Sequence, residues 1–168
     1  MLALLATEGE RSGYDLLKLV QKAIAHVWSP ARSGLYAVLP RLVEAGLATR
    51  RIVAQSTRPD KQLYRITRDG RRALDSWIET VEPGSRDVFF LKLFVGGLTT
   101  PDVLLEHVAQ FHADTEARLD ELRRIQPTNT NTGHDWFHRH LLDHGIERLE
   151  QELDWAGGVA RALRRGPQ

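Results

Sequence analysis

SPARSGLYAVLPRLVEAGLATRRIVAQSTRPDKQLYRITRDG, residues 29–70, holds a helix and a basic hairpin in direct succession. Leu35, Leu39, Leu42 and Val43 recur at helical spacing, which commits one face of the first element to a core. The other face carries Arg32, Ser33, Tyr36, Ala37 and Arg41, hydroxyl, aromatic and guanidinium groups suited to phosphates and base edges in a major groove. Pro40 removes one backbone donor inside this helix, so a bend after Val38 is expected. Gly46 stands where a helix ends in a left-handed residue, and Leu47 to Val53 then reads as a strand rich in β-branched residues. A second strand begins near Lys61 and spans Gln62 to Thr67, with Leu63, Tyr64 and Ile66 as its apolar content. Between the strands, Gln55 to Asp60 has turn chemistry and carries Arg58 near the tip. A helix followed by such a ribbon is the layout of a winged helix-turn-helix, with Arg58 and Lys61 on the wing.

Charge is distributed in the same sense. From Arg50 to Arg72 there are eight basic side chains against two acidic ones, whereas the whole chain is only +1. Residues 1–82 sum to +4 and residues 83–168 to −3. A basic half joined to an acidic half implies a polyanion-binding module attached to a part with another role. Because the basic run coincides with the wing beside the helix, double-stranded DNA is the expected partner. The alternative use of the same fold is a protein-interaction module that never touches DNA; it requires that Tyr36, Arg58 and Lys61 be dispensable.

Taken in order, LALLATEGERSGYDLLKLV (2–20), Trp28, SGLYAVLPRLVEAGLA (33–48) and RPDKQLYRITRDGRRAL (58–74) resemble the N-terminal domain of PadR-like transcriptional regulators. The resemblance covers roughly Leu2 to Trp77. Its most specific elements are Gly13-Tyr14, Tyr36 with Leu39 and Leu42, Gly46-Leu47, and Tyr64 through Thr67 to Gly70. More loosely, LKLFVGG (91–97) after Arg86-Asp87 and HGIERLEQELDWA (144–156) look similar to the C-terminal half of the same family. The resemblance implies a DNA-binding homodimer, usually a repressor, whose C-terminal helices dimerise and help bind a small aromatic or lipophilic effector. The chain departs from the family pattern in three ways. The family's first helix extends upstream of Met1, Thr57-Arg58 replaces Gly-Arg in the wing, and Pro40 lies inside the recognition helix.

Beyond the wing the pattern is helical. Asp69 or a neighbour caps a helix running through Thr80, and Glu82-Pro83-Gly84-Ser85 reads as a linker. The expected organisation is a winged DNA-binding domain over 1–81, a linker over 82–86 and a helical domain over 87–168. Val88 to Val95 is almost wholly apolar and reads as a buried helix. Thr100-Pro101-Asp102 is a helix start, with a hydroxyl cap, proline at the first position and acid in the first turn. Leu104, Val108, Phe111, Thr115, Arg118, Leu122 and Ile125 then alternate by four and three. Leu142, Ile146, Leu149, Leu153, Ala156, Ala160 and Leu163 keep that spacing more strictly. Two such helices form an antiparallel hairpin, and a second copy of the chain is the simplest partner for their seams. Leu104, Val108, Phe111, Leu142, Ile146, Leu149, Leu153 and Ala156 are therefore the expected dimer contacts. A two-fold dimer places two recognition helices about 34 Å apart on one face of DNA, which implies an inverted-repeat operator.

Trp136, Phe137, His140 and Trp155, with Phe111 across the hairpin, are the candidate effector contacts, because aromatic faces bind flat apolar ligands well. Trp28 and Trp77 are assigned to the winged core. His134, His138, His140 and His144 form two pairs at i,i+4 spacing, which would be the seat of a small metal-dependent hydrolase. The pairs lie about 240° apart in helical phase and no carboxylate converges on them, so neither a metal nor a catalytic site is expected. No cofactor motif is present. The 168 residues, 42% hydrophobic, suffice for one core with a smaller helical appendage. There is no cysteine. No apolar run approaches the ~20 residues that cross a bilayer, so no membrane association is expected. Nothing at the N-terminus resembles a signal peptide, and the expected compartment is the cytoplasm.

Overall fold

The computed structural model describes residues 1–25, 32–55, 60–125 and 133–166. Arg58 and Trp28 lie outside the described residues, as do the side chains of Arg32, Leu35 and His134. The chain forms two compact units, Met1–Thr80 with Phe90–Thr99, and Val81–Phe89 with Thr100–Gln168. The segment read as a linker thus belongs to the second unit, and residues 90–99 return to the first.

The first unit contains α1 (Leu2–Glu8), β1 (Arg11–Ser12), α2 (Gly13–Ala23), α3 (Arg32–Glu44), β2 (Ala48–Val53), β3 (Lys61–Ile66) and α4 (Arg68–Glu79). It also holds the second half of α5 (Arg86–Phe94) and a 3-10 turn over Gly96–Leu98. The three strands form one antiparallel sheet in the order β1-β3-β2. Leu5, Leu16 and Leu39 are fully buried with Val20, Ala48 and Tyr64 in the main core, and Leu74, Ile78 and Val95 form a second cluster. The recognition-type helix runs through Pro40 as a single element, with the proline on its exposed side.

Local chemistry explains the joints between these elements. At the end of α3, the Leu47 amide donates to Leu42 O (2.9 Å) and the Gly46 amide to Val43 O (3.0 Å), with Gly46 at φ 71°. This closure uses up Leu47, so the strand begins one residue later than its apolar run suggests. At the other end of the hairpin, Thr67 leaves the strand to cap α4. Its Oγ1 accepts from the Gly70 amide (3.0 Å) and donates to Gly46 O (2.7 Å), while its own amide donates to Leu47 O (3.1 Å). One threonine therefore starts α4 and ties it to the end of α3. Gly70 completes the joint, since a Cβ there would lie 2.0 Å from Leu47 O.

The second unit is a hairpin of α6 (Pro101–Arg124) and α7 (Gly133–Arg165), preceded by the first half of α5. Thr100 caps α6, accepting from the Val103 amide. On α6 the buried seam is Leu104, Val108, Phe111, Thr115 and Leu119, with His107 beside it. Arg118 is exposed and Ile125 is outside the seam, because the helix keeps 3.6 residues per turn and moves the stripe to Leu119. On α7, Leu149 and Ala156 are buried, and Leu142, Ile146, Leu153, Ala160 and Leu163 are half-buried. Phe89 stacks on Phe111 (4.1 Å between centroids) and meets Trp155 edge-on (6.1 Å). Arg86 and Arg148 both pair with Glu152 (2.7 and 2.9 Å), and Arg123 pairs with Glu150 (2.7 Å). Among the described residues no helix is long and apolar enough to cross a membrane.

Candidate nucleic-acid interface

The exposed side of α3 presents Ser33, Tyr36, Ala37, Pro40 and Arg41, while Leu39 is buried and Val38, Leu42 and Val43 are half-buried. The two faces of this helix divide as the spacing of its apolar residues implies. Gly13 sets how closely α2 can approach. A Cβ at that position would come within 2.9 Å of Tyr36 Cε1 and 3.0 Å of Leu39 Cδ1, so any larger residue displaces the aromatic ring on the exposed face.

Tyr36 and the wing line one open cleft of about 560 Å³. Its walls include Tyr14 and Asp15 from the first turn of α2, Tyr36 from α3, and Gln55, Lys61 and Gln62 from the wing. Tyr14 and Tyr36 are 56% and 46% exposed, which is high for aromatic side chains beside a core. Lys18 Nζ lies 4.6 Å from the centre of the Tyr14 ring. The Tyr64 hydroxyl donates to Gln62 Oε1 (2.8 Å), fixing the amide at the cleft wall. The cleft thus offers aromatic edges, amides, a lysine and the carboxylates of Asp15 and Asp60.

Carboxylates already engage part of the wing's charge. Lys61 Nζ is 3.0 Å from Asp15 Oδ2. Arg51 holds Glu10 with two nitrogens, the shortest contact being 2.6 Å, and Arg65 Nε lies 3.8 Å from the same carboxylate. The Arg51 hydrogen bonds, aided by the charges of Arg51 and Arg65, keep the Glu10 carboxyl below its ordinary range despite some desolvation. Asp15 is lowered by the Ser12 hydroxyl first and Lys61 second. Among the described residues, Arg41, Arg50 and Arg68 have no carboxylate within ion-pair distance.

Sequence reasoning assigned no site role to Glu10, Tyr14, Asp15, Gln55 or Gln62. The Ser12–Asp15 spacing was a visible cue, since it is a capping box with Asp at its third helical position. Glu10 had no local cue. It reaches the wing only because two-residue β1 pairs with β3, Arg11 opposite Tyr64, which sets Glu10 opposite Arg65.

The five aromatic and histidine positions singled out in the C-terminal half do not share a site. Phe111 is buried against Phe89, with Trp155 at the ring's edge. Trp136 packs edge-on to Phe137 (4.9 Å) and His140 (4.2 Å) on the exposed start of α7. Fifteen or more residues of one helix separate the groups, roughly 22 Å of axial rise.

 Leu104, Val108, Phe111, Leu149 and Ala156 are all buried within the single chain, and Leu142, Ile146 and Leu153 are half-buried, because the hairpin closes its own seam first. Among the described residues no group of three or more His, Cys, Asp or Glu side chains is placed to hold a metal ion.

A helix with one free polar face, a two-stranded wing and a cleft between them define a winged-helix unit, here joined in one chain to a helical hairpin. Residues 1–76 match the transcriptional regulator PadR-like family, and residues 85–164 match the family described as virulence activator alpha C-term. The match over residues 1–76 is thus to a family of transcriptional regulators and not of enzymes. It is 26% identical over 165 residues to the negative transcriptional regulator PadR of Bacillus subtilis, covering 92% of this chain and 91% of that one. It is 28% identical over 174 residues to a probable transcriptional regulator of Mycobacterium tuberculosis, covering 93% and 92%. The crystal structure of Bacillus subtilis PadR in complex with operator DNA matches at a TM-score of 0.46 and 23% identity, covering 96% of this chain and 97% of that one.

Proposed function

We propose that this regulator binds double-stranded DNA in the cytoplasm as a homodimer and represses transcription from an inverted-repeat operator. One observation carries the reading: Tyr36, on the free face of α3, lines a single open cleft with Lys61 and Gln62 of the wing. Ser33, Tyr36, Ala37 and Arg41, with Arg32 at the helix start, meet bases and phosphates in the major groove, and the wing with Arg58 and Lys61 lies along the adjacent backbone or minor groove. Repression is supported by the similar Bacillus subtilis protein, which is a negative regulator. Residues 1–81 carry the DNA contacts and 87–168 the dimer.

Dimerisation is supported by the start of α7. A Cβ at Gly145 would meet Leu122 Cδ1 at 3.1 Å, so Gly145 lies near the end of α6 and about three turns of α7 precede it. On those turns Trp136, Phe137 and Leu141 are 60%, 61% and 70% exposed, an apolar patch that a second copy would cover. An effector is accommodated by an apolar cavity of about 290 Å³ in the winged unit, whose lining includes Leu2, Val20, Val38, Leu42, Trp77 and Phe94. Trp77 thus lines this cavity at the edge of the core. Val38 and Leu42 belong to the inner face of α3, so a small aromatic or lipophilic molecule there bears on the helix from behind and shifts the DNA-competent population only if it prefers one helix position.

Footprinting on the DNA upstream of the chain's own gene tests this reading. Two protected half-sites about 34 Å apart are expected, lost together in Tyr36→Ala and Arg41→Ala. Undiminished protection by both variants would overturn it.

A further inference from the structure

We propose that Lys61, Arg51 and Arg65 serve DNA binding by cancelling Asp15 and Glu10, two carboxylates that pin the wing, and not by gripping phosphates themselves. This inference rests on the DNA-binding reading and assigns Asp15 and Glu10 as positioning residues within it.

Asp15 is held in place by the start of α2. Ser12 Oγ donates to its Oδ2 (2.7 Å), the Asp15 amide donates to Ser12 Oγ (3.2 Å), and the Ser12 amide closes the box (3.4 Å). This box starts α2, so the carboxylate is held in the wall of the cleft that also contains Tyr36. A phosphate approaching Tyr36 therefore meets a fixed negative charge. Lys61 Nζ, 3.0 Å from that carboxylate, neutralises it. A lysine ammonium so placed divides its field between Asp15 and any phosphate, so less of it is available to the duplex.

Glu10 repeats the device on the outer side of the sheet. Its side chain is largely covered, and it accepts from Arg51 Nε with both oxygens at 3.1 Å and from the terminal guanidinium nitrogen at 2.6 Å. Forked guanidinium–carboxylate contacts are the strongest and most directional of surface ion pairs. Arg65 adds a second cation to the same carboxylate at 3.8 Å. Arg51 lies on β2 and Arg65 on β3, whereas Glu10 directly precedes β1, so one acidic side chain spans the whole sheet. Surface pairs of this kind contribute little to folding stability, which leaves orientation of the wing and its local field as their main effect.

Nonspecific binding to a fluorescein-labelled duplex of about 30 base pairs at low salt reads this directly, since such binding is governed by charge and not by base sequence. Lys61→Gln should weaken binding about tenfold, because it both removes a cation and uncovers Asp15. The double variant Asp15→Asn/Lys61→Gln should return to within about twofold of wild type. Were Lys61 a phosphate contact, the double variant would stay as weak as Lys61→Gln, and the proposal would be overturned. Arg51→Gln and Glu10→Gln/Arg51→Gln supply an independent cycle that leaves the α2 capping box intact, with melting curves confirming that each variant folds. The same rescue is expected there, and its absence would remove the assignment for Glu10. A flat wild-type titration would overturn the DNA-binding reading itself and this inference with it; a binding wild type without rescue would overturn only the inference.

Discussion

Gly70 in the winged unit and Gly145 in the hairpin both lie in helices at a point where a neighbour comes close, yet an added methyl group would meet different things. At Gly70 it would lie 2.0 Å from the Leu47 carbonyl oxygen, with the Leu47 carbonyl carbon and Ile66 Cγ1 both at 2.9 Å. At Gly145 it would meet only the end of the Leu122 side chain, at 3.1 Å. The winged unit is joined backbone to backbone, and its elements have little freedom to adjust. The hairpin is joined by side-chain ends, which can change rotamer.

The largest expected effect follows from that contrast. Gly70→Ala should cost about 3 kcal/mol or more, because the α3 closure, the β3 exit and the α4 cap all meet at Leu47 and Thr67. Gly145→Ala should stay within about 1 kcal/mol of wild type, since the gain in helix propensity offsets a contact that Leu122 can relieve. Denaturant melts of the two variants decide the matter. Equal losses would break the distinction between the units.

The next effect separates surfaces and not joints. Replacing Trp136 and Phe137 together by serine should raise the dimer dissociation constant about thirtyfold, the range of a truncated aromatic anchor, while leaving the monomer's melting transition in place. Replacing Tyr36, an exposed aromatic of the winged unit, by alanine should leave self-association unchanged. Sedimentation velocity over a concentration series measures both. A dimer untouched by the α7 variant would show that the partner covers another face.

How much of this was legible in the sequence depends on the range of the interaction. The face of α3, the Gly46 closure and the Thr100 cap were readable because helical periodicity and terminal chemistry act over a few residues. Thr67 and Gly70 were visible as parts of a motif, but the Leu47 carbonyl that requires the glycine lies 23 positions earlier. The α7 stripe was legible in full. The α6 stripe was not, because strict four-three spacing led to Arg118, while the helix buries Leu119. Glu10 was illegible in principle, since only strand register brings it to Arg51 and Arg65. The apolar cavity gathers residues from α1, α2, α3, α4 and α5, and no local pattern marks it.

A smaller effect compares helix starts in the two units. Thr67→Ala should cost about 1.5 kcal/mol and Thr100→Ala about 0.5 kcal/mol. Thr67 uses its hydroxyl twice, at 2.7 and 3.0 Å, whereas Thr100 makes one contact at 3.4 Å. Hydrogen exchange at the Gly70 and Val103 amides would locate each loss at its own cap. Equal costs would mean that the second bond of Thr67, to Gly46 O, adds nothing to stability.

The smallest effect is a pH dependence confined to the winged unit. Glu10 and Asp15 have native pKa values below their ordinary 4.5 and 3.8, through hydrogen bonds from Arg51 and from Ser12 and Lys61 respectively. A carboxyl with a depressed native value binds its proton more readily in the unfolded chain. Its contribution to stability is therefore present above the ordinary value and declines as pH falls through the native one. Because these are surface pairs, wild type and Glu10→Gln should differ in Tm by no more than about 2 °C near neutrality. That difference should hold down to about pH 5 and then shrink toward zero on further acidification. A gap that persisted unchanged to pH 2.5 would mean that Glu10 stabilises the unit by packing and not by charge, and the picture of a wing held by carboxylates would lose its electrostatic basis.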